Sequence, residues 1–378
     1  MARRERMFVG VTCGRGGRGI DAALIKVVGR GERMKVEQLS AVSRPVPEPL
    51  RTELRAERAP AAGRLAEWDR ELGRVMAEAC RDVLEERALL PREVAGVGMK
   101  GHTTVYQPPA DGKGGGVLEL GSAATLARQT GMAVVGGFCG SDMAAGGVGG
   151  PMTAWAEWLM LRDRRLSRVV VQLSAIASIT FVGTGAAACE VVAFDTGAGT
   201  VLIDHFARQL YDRAMDEDGS MAARGRVDEA MLNELLARDY FRQAPPKRTC
   251  PADWTGEAAQ RIEMMAGRHR CRARDLLATV TELTARTVAD GVLSQTERPH
   301  EVILAGGGAR NIHLAGRVRA LLSPCSTYGI GRYGLDMQAH AAVCYAVLAA
   351  ARMDKVSAHC HLATGAEEPA ILGAVTLP

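Results

Sequence analysis

No run of about 20 consecutive apolar residues occurs in this 378-residue chain, and no apolar stretch near its start leads into a small-residue cleavage site. The expectation is a soluble, cytoplasmic protein with no membrane partner. A surplus of one charge is lacking too: 47 Lys and Arg stand against 43 Asp and Glu, a net of +4. So small a surplus offers a polyanion little, and no nucleic-acid partner is expected; Arg3, Arg4 and Arg6 read as a solvated end. Nine cysteines are scattered without one Cys-x-x-Cys pair. That speaks against a disulfide framework or a zinc knuckle and for a reducing compartment. The glycine loop at 14–19 is not followed by the Gly-Lys-Ser/Thr of a Walker A loop.

Hydrophobic residues make up 47% of the chain, enough for two cores, since a single core stops growing at roughly 250 to 300 residues. Two lobes are expected, 1–163 and 164–378, joined after the helix predicted in MTAWAEWLMLRDRR, which comes directly after Pro151. In the first lobe, Met7–Val11 and Ile20–Val28 read as strands around the loop Cys13–Gly19, whose backbone N–H groups suit phosphate. Ser43–Pro60, rich in Pro, Arg and Glu, reads as a surface excursion rather than an element. Leu65, Trp68, Leu72, Val75, Met76, Ala79, Cys80 and Val83 recur at helical spacing and mark a core-facing helix. Val94–Met99 is a short strand leading into Lys100-Gly101-His102-Thr103.

Chemistry concentrates in GFCGSDMAAGGVGGP, Gly137–Pro151, after the apolar run Met132–Val135. A lone acid, Asp142, is followed by glycines that let backbone come close to another group. Open α/β sheets carry catalytic groups at such strand ends; a helix N-cap aspartate in a flexible loop is the competing reading. In the second lobe, Val191–Gly199 places Asp195-Thr196-Gly197 after a buried strand, and Val302–Ala305 runs into Gly306-Gly307-Gly308-Ala309-Arg310-Asn311, with Asn311 at a helix cap. A single Asp-Thr-Gly without a second copy argues against an aspartic protease. His359, Cys360 and His361 lack a third ligand nearby, and no metal ligand is assigned.

In order and spacing these segments resemble the anhydro-N-acetylmuramic acid kinases of the actin, hexokinase and sugar-kinase superfamily, over essentially the whole chain. Gly137–Pro151 is similar to the family's Asp-Phe-Arg-x-x-Asp-x-Ala-x-Gly-Gly-Gln-Gly-Ala-Pro, with Gly137, Cys139, Val148 and Gly150 as departures. The loop at 14–19 stands at Gly-Thr-Ser-x-Asp-Gly-x-Asp, with Arg15 at the Thr, Gly16 at the Ser and Arg18 at the first Asp. Lys100-Gly101-His102-Thr103 stands at His-Gly-Gln-Thr, and Glu119 at a Gln. Val169–Thr180 stands at Asn-x-Gly-Gly-x-Ala-Asn-x-Thr, and Phe194–Gly199 nearly keeps Phe-Asp-Thr-Gly-Pro-Gly.

The resemblance implies an α/β fold of the two-lobed actin-like ATPase (ribonuclease H-like) kind with a central interlobe cleft, its C-terminal segment packing back on the first lobe. It implies ATP and an amino sugar as substrates, magnesium, and a homodimer. Asp142 would be the catalytic base. Gly14, Arg15, Arg18, Gly19, Asp195, Thr196, Gly197, Gly199, Gly306, Gly307, Gly308 and Asn311 would bind cofactor, and Lys100, His102, Thr103, Gly147 and Gly149 substrate. The implied reaction opens the 1,6-anhydro ring with water and phosphorylates the oxygen on carbon six, a step of cell-wall recycling. Arg18 removes the carboxylate expected beside magnesium and reverses the local charge. Either Arg15 and Arg18 grip phosphate directly, or the loop has lost its role. The alternative for the whole chain is a degenerate homologue that binds nucleotide or sugar without turnover.

Overall fold

The computed structural model of the chain describes residues 5–14, 19–54, 61–109, 114–294 and 298–378. These form two compact units, one of Met1–Arg162, Ala186–Val192 and Ile330–Pro378, the other of Asp163–Gly185 and Ala193–Gly329.

The first unit begins with β1 (Glu5–Cys13), β2 (Gly19–Val28), β3 (Lys35–Pro45), α1 (Leu50–Leu54) and α2 (Ala62–Glu85). It continues through β4 (Val94–Lys100), β5 (His102–Gln107), β6 (Gly116–Leu120), α3 (Ala123–Thr130), β7 (Val134–Gly136), α4 (Phe138–Ala144) and α5 (Ala154–Leu161). The second unit holds β8 (Arg168–Leu173), β9 (Ile176–Val182), most of β10 (Val192–Ala198), α6 (Val201–Tyr211), α7 (Glu229–Leu236), α8 (Asp239–Arg242) and α9 (Glu257–Arg268). It closes with α10 (Ala273–Leu293), β11 (Glu301–Ala305), α11 (Ile312–Leu321) and β12 (Ser326–Gly329). The chain ends back in the first unit with α12 (His340–Met353), α13 (His361–Thr364) and β13 (Ala374–Thr376).

One strand plan is used twice. In the first unit the sheet runs β13-β7-β4-β1-β2-β3, with β1, β2 and β3 successively antiparallel and β4 and β7 added parallel to β1. In the second it runs β10-β9-β8-β11-β12, with β8 antiparallel to β9 and parallel to β11, which is parallel to β12. The unit's first strand is central both times, its hairpin partner is on one side and the later parallel strands are on the other.

The two faces of the first sheet are set by alternation along β1 and β4. Val9, Val11, Val97 and Met99 point into a core shared with Trp68, Leu72, Val75 and Met76 of α2. The opposite face presents Gly10 and Gly98, which are direct neighbours in the β1–β4 register. A Cβ at Gly10 would stand 1.7 Å from the Ala342 carbonyl oxygen, and one at Gly98 1.9 Å from that of Tyr345. α12 therefore lies with its backbone against bare strand, and nearly all of its residues are buried.

Several boundaries differ from the reading of the sequence. The segment predicted as an excursion contains the end of β3 and α1, whose Leu50 is fully buried; of its remainder, residues 55–60 lie outside the described set. Val169–Thr180, continuous in strand propensity, is a hairpin that turns at Ser174-Ala175. Asp142 is the fifth residue of α4 and not an N-cap, because the cap is Gly137, at φ +71°.

Gly10→Ala should lower stability by upward of about 3 kcal/mol, because backbone on both sides prevents relaxation. Gly63→Ala, near the start of α2 with nothing within 4 Å of the new Cβ, should be neutral or stabilising by up to about 1 kcal/mol. Urea midpoints of the two variants test the contrast.

Candidate active site

In the first unit the glycine loop after α4 is wrapped around the carboxylate of Asp142. Asp142 is fully buried. The Gly149 N–H donates to its Oδ2 at 2.6 Å, and the Gly147 N–H to its backbone carbonyl at 3.0 Å. A Cβ at Gly147 would meet Oδ2 at 2.3 Å, and Gly149 has φ +81°, so both positions require glycine. The close approach that the glycines permit is to the chain's own acid.

The other side of that carboxylate is held by a residue that the sequence leaves unassigned. His359 Nε2 lies 2.6 Å from Asp142 Oδ1, while His359 Nδ1 accepts the Ala370 N–H at 3.1 Å. With Nδ1 accepting, the ring proton of a neutral imidazole sits on Nε2 and is donated to Asp142. Thr364 Oγ1 lies 3.2 Å from the same nitrogen, and the Thr364 carbonyl accepts the Val148 N–H at 2.8 Å. Because Glu367 N–H also donates to the Ala145 carbonyl, the segment 359–367 clasps the loop. Tyr106 of β5 donates its hydroxyl to the Val148 carbonyl at 2.9 Å from the opposite side. The only sequence signal for His359 was the His-Cys-His cluster, which points to metal rather than to an aspartate 217 positions away.

Lys100, Thr103, Glu119 and Cys139 converge on one buried polar knot at the base of the β5–β6 hairpin. Lys100 Nζ donates to the Gly101 carbonyl (3.0 Å), Thr103 Oγ1 (2.9 Å) and Glu119 Oε1 (3.0 Å), which uses all three of its protons. Cys139 Sγ is 3.5 Å from the same Glu119 oxygen. His102 is buried beside Cys13, whose Sγ is 4.0 Å from its Nδ1. Burial, and next the Lys100 ammonium, push the His102 imidazole down to about 4, only partly offset by a backbone hydrogen bond at Gly14. Burial likewise drives the Cys13 thiol up to about 12, so it is no nucleophile at neutral pH.

Gly14 and Gly19 close the β1–β2 hairpin through a 3.2 Å N–H to carbonyl bond. Arg15, Arg18 and the intervening glycines lie outside the described residues. Asp21, three residues beyond Arg18 and at the motif's last Asp, was passed over in the sequence. It accepts Ser43 Oγ (2.5 Å) and Gln338 Nε2 (3.3 Å), and burial raises its carboxyl above the ordinary value despite those bonds.

In the second unit the two glycine turns meet the β8–β9 turn. Gly199 and Val201 N–H groups donate to the Ala175 carbonyl, and Thr200 N–H to Ser174. Cβ atoms at Gly199, Gly306 and Gly308 would fall 2.1, 2.3 and 2.7 Å from Ser174 O, Leu173 O and Thr200 Cγ2. Gly307 stands between the last two, in the 3-10 turn Gly307–Arg310. Asp195 is fully buried and accepts the Thr249 N–H at 3.1 Å, and the Thr196 hydroxyl faces the Ala177 carbonyl. Gly197, at φ +142°, packs against Phe241. Asn311 caps α11 by accepting the Leu314 N–H at 2.9 Å. Asp195, Thr196 and the glycines Gly197, Gly199, Gly306 and Gly308 are all buried in this cluster.

A sheet order repeated in two units, with glycine turns at the strand ends of each, defines the actin-like ATPase fold and its sugar-kinase branch. The family model described as anhydro-N-acetylmuramic acid kinase matches residues 6–378. A protein of that name from Gloeobacter violaceus is 34% identical over 373 residues, covering 98% of each chain. Another from Salinibacter ruber is 33% identical over 387 residues, covering all of this chain and 97% of its own. Among solved structures, the activator of the 2-hydroxyisocaproyl-CoA dehydratase from Clostridium difficile with bound ADPNP aligns at 11% identity and a TM-score of 0.47, covering 92% of this chain and 96% of that one. The chain belongs to the anhydro-N-acetylmuramic acid kinase family.

The depressed His102 imidazole makes the first unit acid-labile. Between about pH 6.5 and 4 the unfolded chain binds a proton that the folded chain does not, so stability falls as pH drops through that window, by about 3 kcal/mol in full. His102→Gln should flatten this loss, read as the difference in urea midpoint between pH 7 and pH 4.5.

Proposed function

We propose that this chain is an ATP-dependent kinase that opens the 1,6-anhydro ring of an N-acetylated amino sugar of the muramic type and phosphorylates the freed oxygen. Water attacks carbon one, the bond from carbon one to the bridging oxygen breaks, and that oxygen takes the terminal phosphoryl group while ADP leaves. Asp142 accepts the proton of the attacking water. The observation that supports this role is its seating: one N–H from Gly149 and one from His359 hold the carboxylate in a fixed direction. His359 is a positioning residue, and the loop 146–150 must part from the carboxylate far enough to admit one water.

Lys100, Thr103 and His102, with Gly147 and Gly149, form the sugar side in this reading. The Lys100–Glu119 pair stands where the family has neutral His and Gln, and with all three Lys100 protons already donated it shapes the sugar side rather than adding a free donor. In this reading ATP is held through backbone groups of the second unit's turns, Gly197–Gly199 and Gly306–Gly308; Arg15 and Arg18 stay the candidate phosphate-binding residues of the sequence. Magnesium needs oxygen ligands. Arg18 brings none, and Asp21 is the carboxylate of that hairpin which suits it, half-buried with one oxygen already oriented by Ser43. When bound, the ion would neutralise charge on the phosphates.

A coupled ADP-release assay with 1,6-anhydro-N-acetylmuramic acid tests the assignment. Asp142→Asn should lower kcat by roughly 10²- to 10⁴-fold. Equal rates in native and variant chains would remove Asp142 from the mechanism, and no turnover by the native chain would favour a binding protein. His359→Gln, which keeps an N–H donor, should retain more activity than His359→Ala. KM for ATP should be unchanged in both.

A further inference from the structure

Directly after the loop that holds Asp142, α5 and α12 enclose three side chains that the proposed reaction leaves unused. Glu157 on α5 and His340 and Cys344 on α12 are all buried, the last two fully. His340 and Cys344 are four residues apart and share one face of their helix. His340 Nε2 lies 3.0 Å from Glu157 Oε1 and 3.6 Å from Cys344 Sγ, and the three ligand atoms lie within 4.8 Å of one another. A single ring nitrogen carries either one proton or one lone pair, so it cannot satisfy both neighbours fully. Glu157 Oε2 and His340 Nδ1 have no hydrogen-bond partner among the described residues. A buried ionisable set left this incomplete is costly.

We propose that Glu157, His340 and Cys344 form a structural site for a zinc-class divalent cation. A carboxylate, a thiolate and a neutral imidazole carry two negative charges in sum, and a divalent cation cancels them, which suits a buried site. Oxygen, nitrogen and sulfur donors together select zinc or cobalt, because magnesium and calcium take oxygen almost exclusively. Tetrahedral bonds of about 2.0 to 2.3 Å would put ligand atoms roughly 3.3 to 3.7 Å apart; the His340–Cys344 separation of 3.6 Å already falls there, while His340 and Glu157, at 3.0 Å, would open slightly. The ion would tie α5 to α12, and so anchor the chain as it leaves the loop around Asp142. Loading accompanies folding, and the Cys344 proton is released to solvent as the thiolate binds.

Elemental analysis of the untagged full-length chain, expressed in zinc-supplemented medium and dialysed against chelator, tests this. We expect about one zinc per chain, falling below about one tenth in Cys344→Ser and His340→Gln, and unchanged in Cys80→Ser, a buried cysteine elsewhere in the same unit. The native chain refolded with cobalt should show thiolate-to-cobalt charge-transfer absorption. A folded native chain without zinc and without that absorption would overturn the site and leave a plain Glu157–His340 hydrogen bond; so would full zinc retention in both ligand variants. The native measurements decide the matter even where a variant fails to fold.

Discussion

The contact of α12 with the bare backbone of β1 and β4 is the constraint on which the first unit depends. Gly10 and Gly98 sit side by side in the parallel register, and the absence of two Cβ atoms lets a helix settle directly on the strands. The segment that leaves the C-terminal end of α12 is thereby delivered to one place. His359 and Thr364 reach the loop after α4, and Asp142 gains the partner that orients it. A side-chain contact far apart in sequence is fixed by the packing of helix on sheet.

Around that acid the chain has rearranged charge without leaving it unbalanced. Relative to the family pattern a guanidinium is lost at Cys139, and an ammonium appears at Lys100 together with a carboxylate at Glu119. Lys100 finds three acceptors in Gly101, Thr103 and Glu119, and the Cys139 thiol faces the same carboxylate. A buried ion pair is tolerated only when its remaining polar atoms are also satisfied, and here the lysine is. The same ammonium helps to keep His102 neutral, so these substitutions act as one electrostatic unit.

In the second unit the glycines answer to the chain rather than to empty space. Gly199, Gly306 and Gly308 are pressed against Leu173, Ser174 and Thr200, and Thr284 on α10 donates its hydroxyl to the carbonyls of Ala198 and Gly199 from below. α10 is itself braced by Glu282, which Arg317 of α11 grips with two nitrogens at 2.7 and 2.9 Å. This packing fixes the turns against the β8–β9 hairpin on one side and α10 on the other.

Local pattern was enough for much of this molecule. Short apolar runs beside glycine turns marked β1, β2, β4 and β11, helical spacing marked α2, Asn311 marked its own cap, and the order of glycine turns carried the family, because these features depend on residues close together in the chain. The hairpin turn at Ser174-Ala175 escaped it, since strand propensity runs through both arms without a break. His359 escaped it because its partner is brought near only by the seat of α12, and the Glu157–His340–Cys344 cluster because helices from distant segments supply its members. The amino-acid sequence by itself determined the elements and the kind of chemistry; which carboxylate faces which imidazole was decided by tertiary packing, where a missing methyl group at Gly10, Gly98 or Gly147 sets how closely two segments approach.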